Sequence, residues 1–215
     1  VRKEYGQATV VTATNVFAHM DDVNGVVKSI LEILKDGGVF ITESHYLLSL
    51  IQMNQFDTIY HEHLRYYSLH SLMYLLEMHG LEVIHAKQIP THAGSIRAYA
   101  ARKGKYPVQG TVASLLGAER NTILQKEGLV EFRKRVVLAK LELAALLRDI
   151  KKSGGRVYGI GAPSRGTTLI HYVGIDEGIV DCIVEIKGSH KIGKYVPGTL
   201  IPVLEESRLY EDQPE

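Results

Sequence analysis

The run FDTIYHEHLRYY, Phe56 to Tyr67, holds three tyrosines, two histidines, one glutamate and one arginine. Three kinds of chemistry or structure place such groups together. On an extended strand His61 and His63 would face one side and begin a zinc site, which then needs further ligands and partners to orient them. Alternatively, His63 is a general base held by the Glu62 carboxylate, with the Tyr60 phenol set to stabilise an oxyanion. Imidazole titrates near neutrality and takes a proton without a large pKa shift. The third possibility is structural, with both histidines as surface groups or hydrogen-bonded core groups. Spacing alone leaves all three open.

A second candidate is GIGAPSRG, Gly159 to Gly166. It follows a predicted strand and opens a predicted helix. There, glycines let the backbone approach an anion, and helix N-terminal N–H groups can donate to it. Gly159, Gly161 and Gly166 are spaced G-x-G-x-x-x-x-G, which is neither the dinucleotide fingerprint nor a lysine-bearing Walker loop. Arg165 is the cation on offer, and Thr167 and Thr168 add hydroxyl donors. Glu185 lies about 20 residues further on, where a dinucleotide site places an acid for the ribose. A tight strand–helix turn without ligand has the same appearance.

Both candidates need a scaffold. Ala8–Val16 is β-branched and reads as a buried strand. Val23–Leu34 has helical apolar spacing and ends in KDGG, a glycine stop signal. Gly38–Ser44 is the next strand. The crossover implies a parallel sheet with ligands beyond the carboxyl ends of its strands, so Asn15–His19 and Glu43–Tyr46 fall at the functional edge. Ser68–Gly80 reads as a capped amphipathic helix, and Leu81–Pro90 with Ser95–Lys103 as an antiparallel hairpin closed by THAG. Gly104–Gly110 looks like a linker, and residues 112–152 are helical with a basic last turn. A second strand–turn–helix–strand unit follows, then a loop with one short strand.

Composition narrows the class. The chain has 215 residues, 45% hydrophobic and 23% charged, with a formal net charge of +1. That fits an α/β globular protein of one or two domains and argues against nucleic acid or an anionic membrane as main partner. The single cysteine, Cys182, excludes an intramolecular disulfide and a cysteine-only zinc site, in keeping with a cytoplasmic location. No apolar run is long enough for a membrane span, and the first residues lack a signal-peptide core.

Five motifs in order, NVFAHM, FDTIYHEHLRYYSL, THAGSIRAYA, GIGAPSRGTTLIHY and GKYVPGTLIP, resemble the SAM-dependent sugar C-methyltransferases. That family methylates a carbon beside the ketone of a nucleotide-linked keto-deoxysugar, and the likeness runs over nearly the whole chain. It implies the second half of a class I methyltransferase Rossmann-like sheet at residues 1–105. A helical connection at 106–152 would belong to a Rossmann-like, nucleotide-sugar-binding C-terminal domain at 153–215. It also implies that the chain is an internal or C-terminal piece. The glycine-rich SAM loop and a cysteine-rich zinc region would lie upstream, and no metal would act at the site itself.

Carried over by motif, Tyr60, Glu62, His63 and His19 fall on active-site positions. Asn15 and Val16 fall beside the cofactor S-adenosyl-L-methionine. Gly159, Gly161, Arg165, Gly166, Thr167, His92 and Ser95 fall on the substrate side. The implied chemistry is deprotonation by His63 next to a ketone, with Tyr60 or His19 bonding the oxyanion and the carbanion attacking the sulfonium methyl. Three departures stand out: Arg165 replaces a usual lysine, Ala93 a usual glycine, and Glu185-Ile186 part of an Asp-Lys-Asn-like run. Two other functions are compatible with the residues: a non-catalytic nucleotide-sugar-binding module and a histidine-based metal hydrolase centred on His61 and His63.

Overall fold

A computed structural model describes residues 2–213, which form two compact units, 2–55 with 61–132 and 56–60 with 133–213. The first unit opens with a short helix, α1 (Arg2–Tyr5), and strand β1 (Ala8–Thr14). Helix α2 (Val23–Ile33) starts where the Asp22 carboxylate accepts from the Gly25 N–H, and it buries Val23, Val27 and Ile30 on one face. Strand β2 (Leu34–His45) then pairs in parallel with β1, from Val10 opposite Val39 to Thr14 opposite Glu43.

KDGG is not the expected helix stop. The helix ends at Ile33, Leu34 is already extended, and Gly37 and Gly38 lie inside β2. Gly38 is required for closeness instead. A Cβ there would sit 2.8 Å from the Leu34 side chain and 3.1 Å from the Ala8 carbonyl, beside a register break in β1.

Helix α3 (Leu47–Gln52) leads on, and α4 (Leu69–Glu77) begins with reciprocal hydrogen bonds between Ser68 and Ser71. Gly80, at φ +76°, closes that turn as expected. Strands β3 (Leu81–Ile89) and β4 (Ser95–Arg102) form the antiparallel hairpin, and β4 also pairs antiparallel with β2. The mixed sheet therefore runs β1-β2-β4-β3. Its core gathers Phe17, Phe40, Tyr46, Leu69, Leu72, Leu76, Leu81 and Ile96, all buried.

Helix α5 (Gly110–Arg120) packs with the first unit. Val112 and Ile123 are buried in the first unit's core, and the fully buried Glu119 binds His70 there. Helix α6 (Lys126–Lys152) begins in this unit, where Phe132 packs on the same core, and continues into the second. The connection 106–152 is thus divided between the units.

The second unit holds β5 (Tyr158–Ile160), α7 (Ser164–Val173), β6 (Cys182–Glu185), β7 (Val203–Glu205) and α8 (Ser207–Asp212). Its strands make a parallel sheet in the order β5-β6-β7. Leu147, Ile170, Ile183, Ile201 and Val203 form its core. Cys182 is buried on β6, and that burial pushes its thiol pKa up. Among the described residues, no helix is long and apolar enough to cross a membrane.

Candidate active site

FDTIYHEHLRYY is not a strand. Phe56–Thr58 form a 3-10 turn, His61 and Glu62 another turn, and residues 63–66 are irregular. The same-side alternation of His61 and His63 therefore lapses. Among the described residues, no group of three or more His, Cys, Asp or Glu is arranged to hold a metal ion.

His63 instead lies among three rings of the first unit. The centroid of His19 is 5.0 Å away, that of His45 5.7 Å at 75°, and that of Tyr66 5.9 Å at 87°. The loop is fixed on both sides of it. Leu64 N–H donates to the Ala18 carbonyl at 2.9 Å, and Arg65 donates to the carbonyls of Met20 and Asp21. Leu47 N–H donates to the Tyr67 carbonyl, and Tyr67 is buried against Phe17. Burial raises the Tyr67 phenol above its ordinary range, which suits packing rather than proton transfer.

His19 has a defined tautomer. Its Nδ1 donates to the Glu62 carbonyl at 2.8 Å; a carbonyl only accepts, so Nδ1 carries the proton. In the neutral ring Nε2 is then an acceptor, and only imidazolium could donate to an oxyanion from that nitrogen. The Glu62 carboxylate is 4.0 Å from His61 Nε2, with side chains 47% and 82% exposed, an ion pair that contributes little.

Asn15, at φ +55°, ends β1. Its N–H donates to the Glu43 carbonyl, and its side-chain amide lies 3.3 Å from His92 Nε2. Glu43 is itself buried and accepts from Arg97 and Thr91. His92 and Ala93 are consecutive left-handed residues at φ +51° and +57°. Ser95 is fully buried and donates to the Thr91 carbonyl, so it shapes the loop that carries His92. Val16 is 39% exposed at the tip of β1.

Asn15, His19, His63 and His92 thus converge at the carboxyl edge of β1 and β2. Sequence reasoning passed over His45 and Gln55. His45 Nε2 meets Gln55 Oε1 at 3.1 Å, and Gln55 Nε2 donates to the Ala93 carbonyl at 2.9 Å. Only the placement of Glu43–Tyr46 at the functional edge pointed toward His45.

In the second unit, GIGAPSRG forms the strand–helix turn. Gly161 is left-handed at φ +78°, and a Cβ on Gly159 would lie 2.8 Å from Ile183 Cγ1. Several donors are internally satisfied. Gly161 N–H goes to Val184, Gly166 N–H to Pro163, and Ala162 N–H to the Glu185 carboxylate at 2.7 Å. Glu185 therefore braces the turn rather than standing apart for a ribose. The Ala162 N–H holds its carboxyl below the ordinary range, helped by Lys191 at 3.6 Å.

Arg165 is engaged as well. Its Nε and Nη2 donate to Asp57 at 2.8 and 2.6 Å. Thr168 donates to the Ile59 carbonyl and Phe56 packs on Tyr172, so the segment ending in Tyr60 is pinned along α7. A cavity of about 520 Å³ opens beside the turn. It is lined by Gly159, Gly161, Arg165, Gly166 and Thr167 with Asp57, Lys191, Lys194 and Tyr195, over a wall of Ile170, Val180, Ile183 and Val196.

Residues 90–215 match the family described as C-methyltransferase C-terminal domain, and residues 1–86 match the family described as Methyltransferase domain. The chain belongs to the C-methyltransferases that carry this C-terminal domain. C-methyltransferase NovU of Streptomyces niveus is 34% identical over 205 residues, covering 94% of this chain and 49% of that protein. The chain thus spans about half the length of that curated relative. The crystal structure of magnesium protoporphyrin IX methyltransferase (ChlM) from Synechocystis PCC 6803 with bound SAH aligns at 12% identity with a TM-score of 0.36. It covers 45% of this chain and 46% of that one, a likeness too slight to bear on the fold.

Proposed function

We propose that this chain supplies the acid–base group and the nucleotide-sugar cavity of a SAM-dependent C-methyltransferase. The whole protein would act on a carbon beside the ketone of a nucleotide-linked keto-deoxysugar. The observation that carries this reading is the gathering of His19, His45 and Tyr66 around the half-buried His63 at the carboxyl edge of a parallel strand pair.

His63 takes the α-proton; the C–H electron pair moves into the enolate, and charge gathers on the ketone oxygen. Tyr60 is the proposed donor to that oxygen, since the Nδ1–H of His19 already goes to the Glu62 carbonyl. S-adenosyl-L-methionine, when bound, supplies the electrophilic methyl group. Asn15 and the exposed Val16 would stand beside it.

For the substrate, the second unit's cavity offers an apolar wall for a base and Arg165, Lys191 and Lys194 for a diphosphate. A phosphate at Arg165 shares the guanidinium with Asp57. His92 and the loop shaped by Ser95 stand on the substrate side of the first unit. The test is methyl transfer from labelled SAM to a nucleotide-linked keto sugar by the full-length protein. Absence of transfer with every such sugar would end the reading.

The cavity lies wholly within the second unit, which favours a second reading for that unit: a nucleotide-sugar-binding module without catalysis. That reading predicts affinity unchanged by His63→Ala and no methyl transfer by the full-length protein.

A further inference from the structure

The His45–Gln55 pair has a fixed polarity. Gln55 is 8% exposed, and its Nε2 donates to the Ala93 carbonyl, so its Oε1 must be the atom facing His45 Nε2. An amide oxygen only accepts, and His45 Nε2 therefore carries the proton. His45 is also the last residue of β2, in register with the buried Ser95 of β4, so its backbone is anchored as firmly as its ring. Held at both ends, the ring presents itself to His63 at 5.7 Å and to His92 at 6.2 Å.

We infer that His45, clamped by Gln55, is a positioning residue that holds the His63 ring and keeps an uncharged imidazole beside it. This rests on His63 being the base of the proposed reaction. A glutamine is the telling partner. It fixes a tautomer without the negative charge that would draw a second proton onto His45. When His63 becomes imidazolium on taking the substrate proton, a neutral neighbour does not oppose that charge, whereas a second cation would. Other titratable groups around His63 include His19, Tyr66 and the adjoining Glu62, with Tyr60 three residues before it and His92 beyond His45. Glu43 on β2 is neutralised by Arg97.

The test uses the full-length protein and follows exchange of the sugar α-proton in deuterated water across pH. His45→Phe keeps the ring but not its N–H, and should lower kcat for exchange by about 10- to 100-fold with KM within about twofold. Gln55→Glu makes His45 a cation, and should move the acid limb of the profile to lower pH by about half a pH unit or more. In wild type, 15N spectra should show His45 protonated at Nε2. Wild-type kcat in His45→Phe together with an unmoved acid limb in Gln55→Glu would overturn the assignment. If His45→Phe misfolds, the nearly isosteric Gln55→Glu decides alone. No exchange by wild type would instead sink the base role of His63. His45 is then judged by the His63 NMR titration, displaced downward in Gln55→Glu if the inference holds and unmoved if it does not.

Discussion

His19 and His63 have ring centroids 5.0 Å apart, yet hydrogen bonding separates their tasks. The Glu62 carbonyl takes the Nδ1–H of His19, which commits that donor away from an enolate oxygen. Tyr60 is the oxyanion donor in the proposed reaction. Tyr60→Phe is expected to lower kcat for methyl transfer by about 10²-fold with KM little changed, the usual effect of removing one oxyanion donor. A rate within twofold of wild type would take Tyr60 out of that role. The types of these residues were legible in the sequence, and so was their order along the chain. The tautomer of His19 was not, because it depends on a main-chain carbonyl 43 residues away. His45 was hidden for a similar reason: its partner Gln55 lies outside every motif and is oriented by a third residue, Ala93.

Two elements hold this edge in place, and each can be tested by stability. The THAG loop keeps His92 and Ala93 in the left-handed region, which is unfavourable for any residue with a Cβ. Ala93→Gly relieves one such position, and should stabilise the protein by about 0.5–1 kcal/mol in urea denaturation despite glycine's greater unfolded-state entropy. In the same unit, the fully buried Glu119 accepts from the Leu69 and His70 N–H groups and from the His70 ring, capping α4 from α5. Glu119→Ala leaves the buried Leu69 N–H unpaired and frees the half-buried His70 donors, and a loss of about 2–4 kcal/mol is expected by the same measurement. Ser68 as the cap of α4 was readable from its own neighbours, whereas Glu119 lies 50 residues further along. The glycines of KDGG misled for the opposite reason. Their local signal was strong, but close contact with Leu34 and Ala8 decided their place.

At the scale of the molecule, the alternation of strands and helices was enough to foresee a mixed sheet followed by a second α/β unit. How the connecting helices pack was not readable in the same way. Whether α5 stays with the hairpin is settled by Val112 and Glu119 reaching the first core, and no linker composition records that. Acid sensitivity also belongs to this scale, because the net charge of +1 leaves individual carboxylates to set it. In the second unit, Glu185 is held below its ordinary value of 4.5 by the Ala162 N–H. Asp212 is held below 3.8 by the Tyr158 hydroxyl, with Arg208 and Arg156 adding to it. A carboxyl with a depressed folded-state pKa adds stability that is full above its unfolded value and is lost as pH falls through the folded value. The urea midpoint should therefore drop as pH is lowered from about 5 toward 3, and Glu185→Gln should flatten that drop. An unchanged slope in the variant would remove Glu185 from the account.

The central claim is that His63 removes the proton while the second unit holds the nucleotide sugar. The most direct measurement compares wild-type and His63→Gln full-length protein for α-proton exchange in deuterated water, with nucleotide-sugar affinity measured alongside. Exchange should fall by about 10²-fold or more in His63→Gln, with affinity within a few-fold of wild type. Exchange at the wild-type rate would contradict the claim.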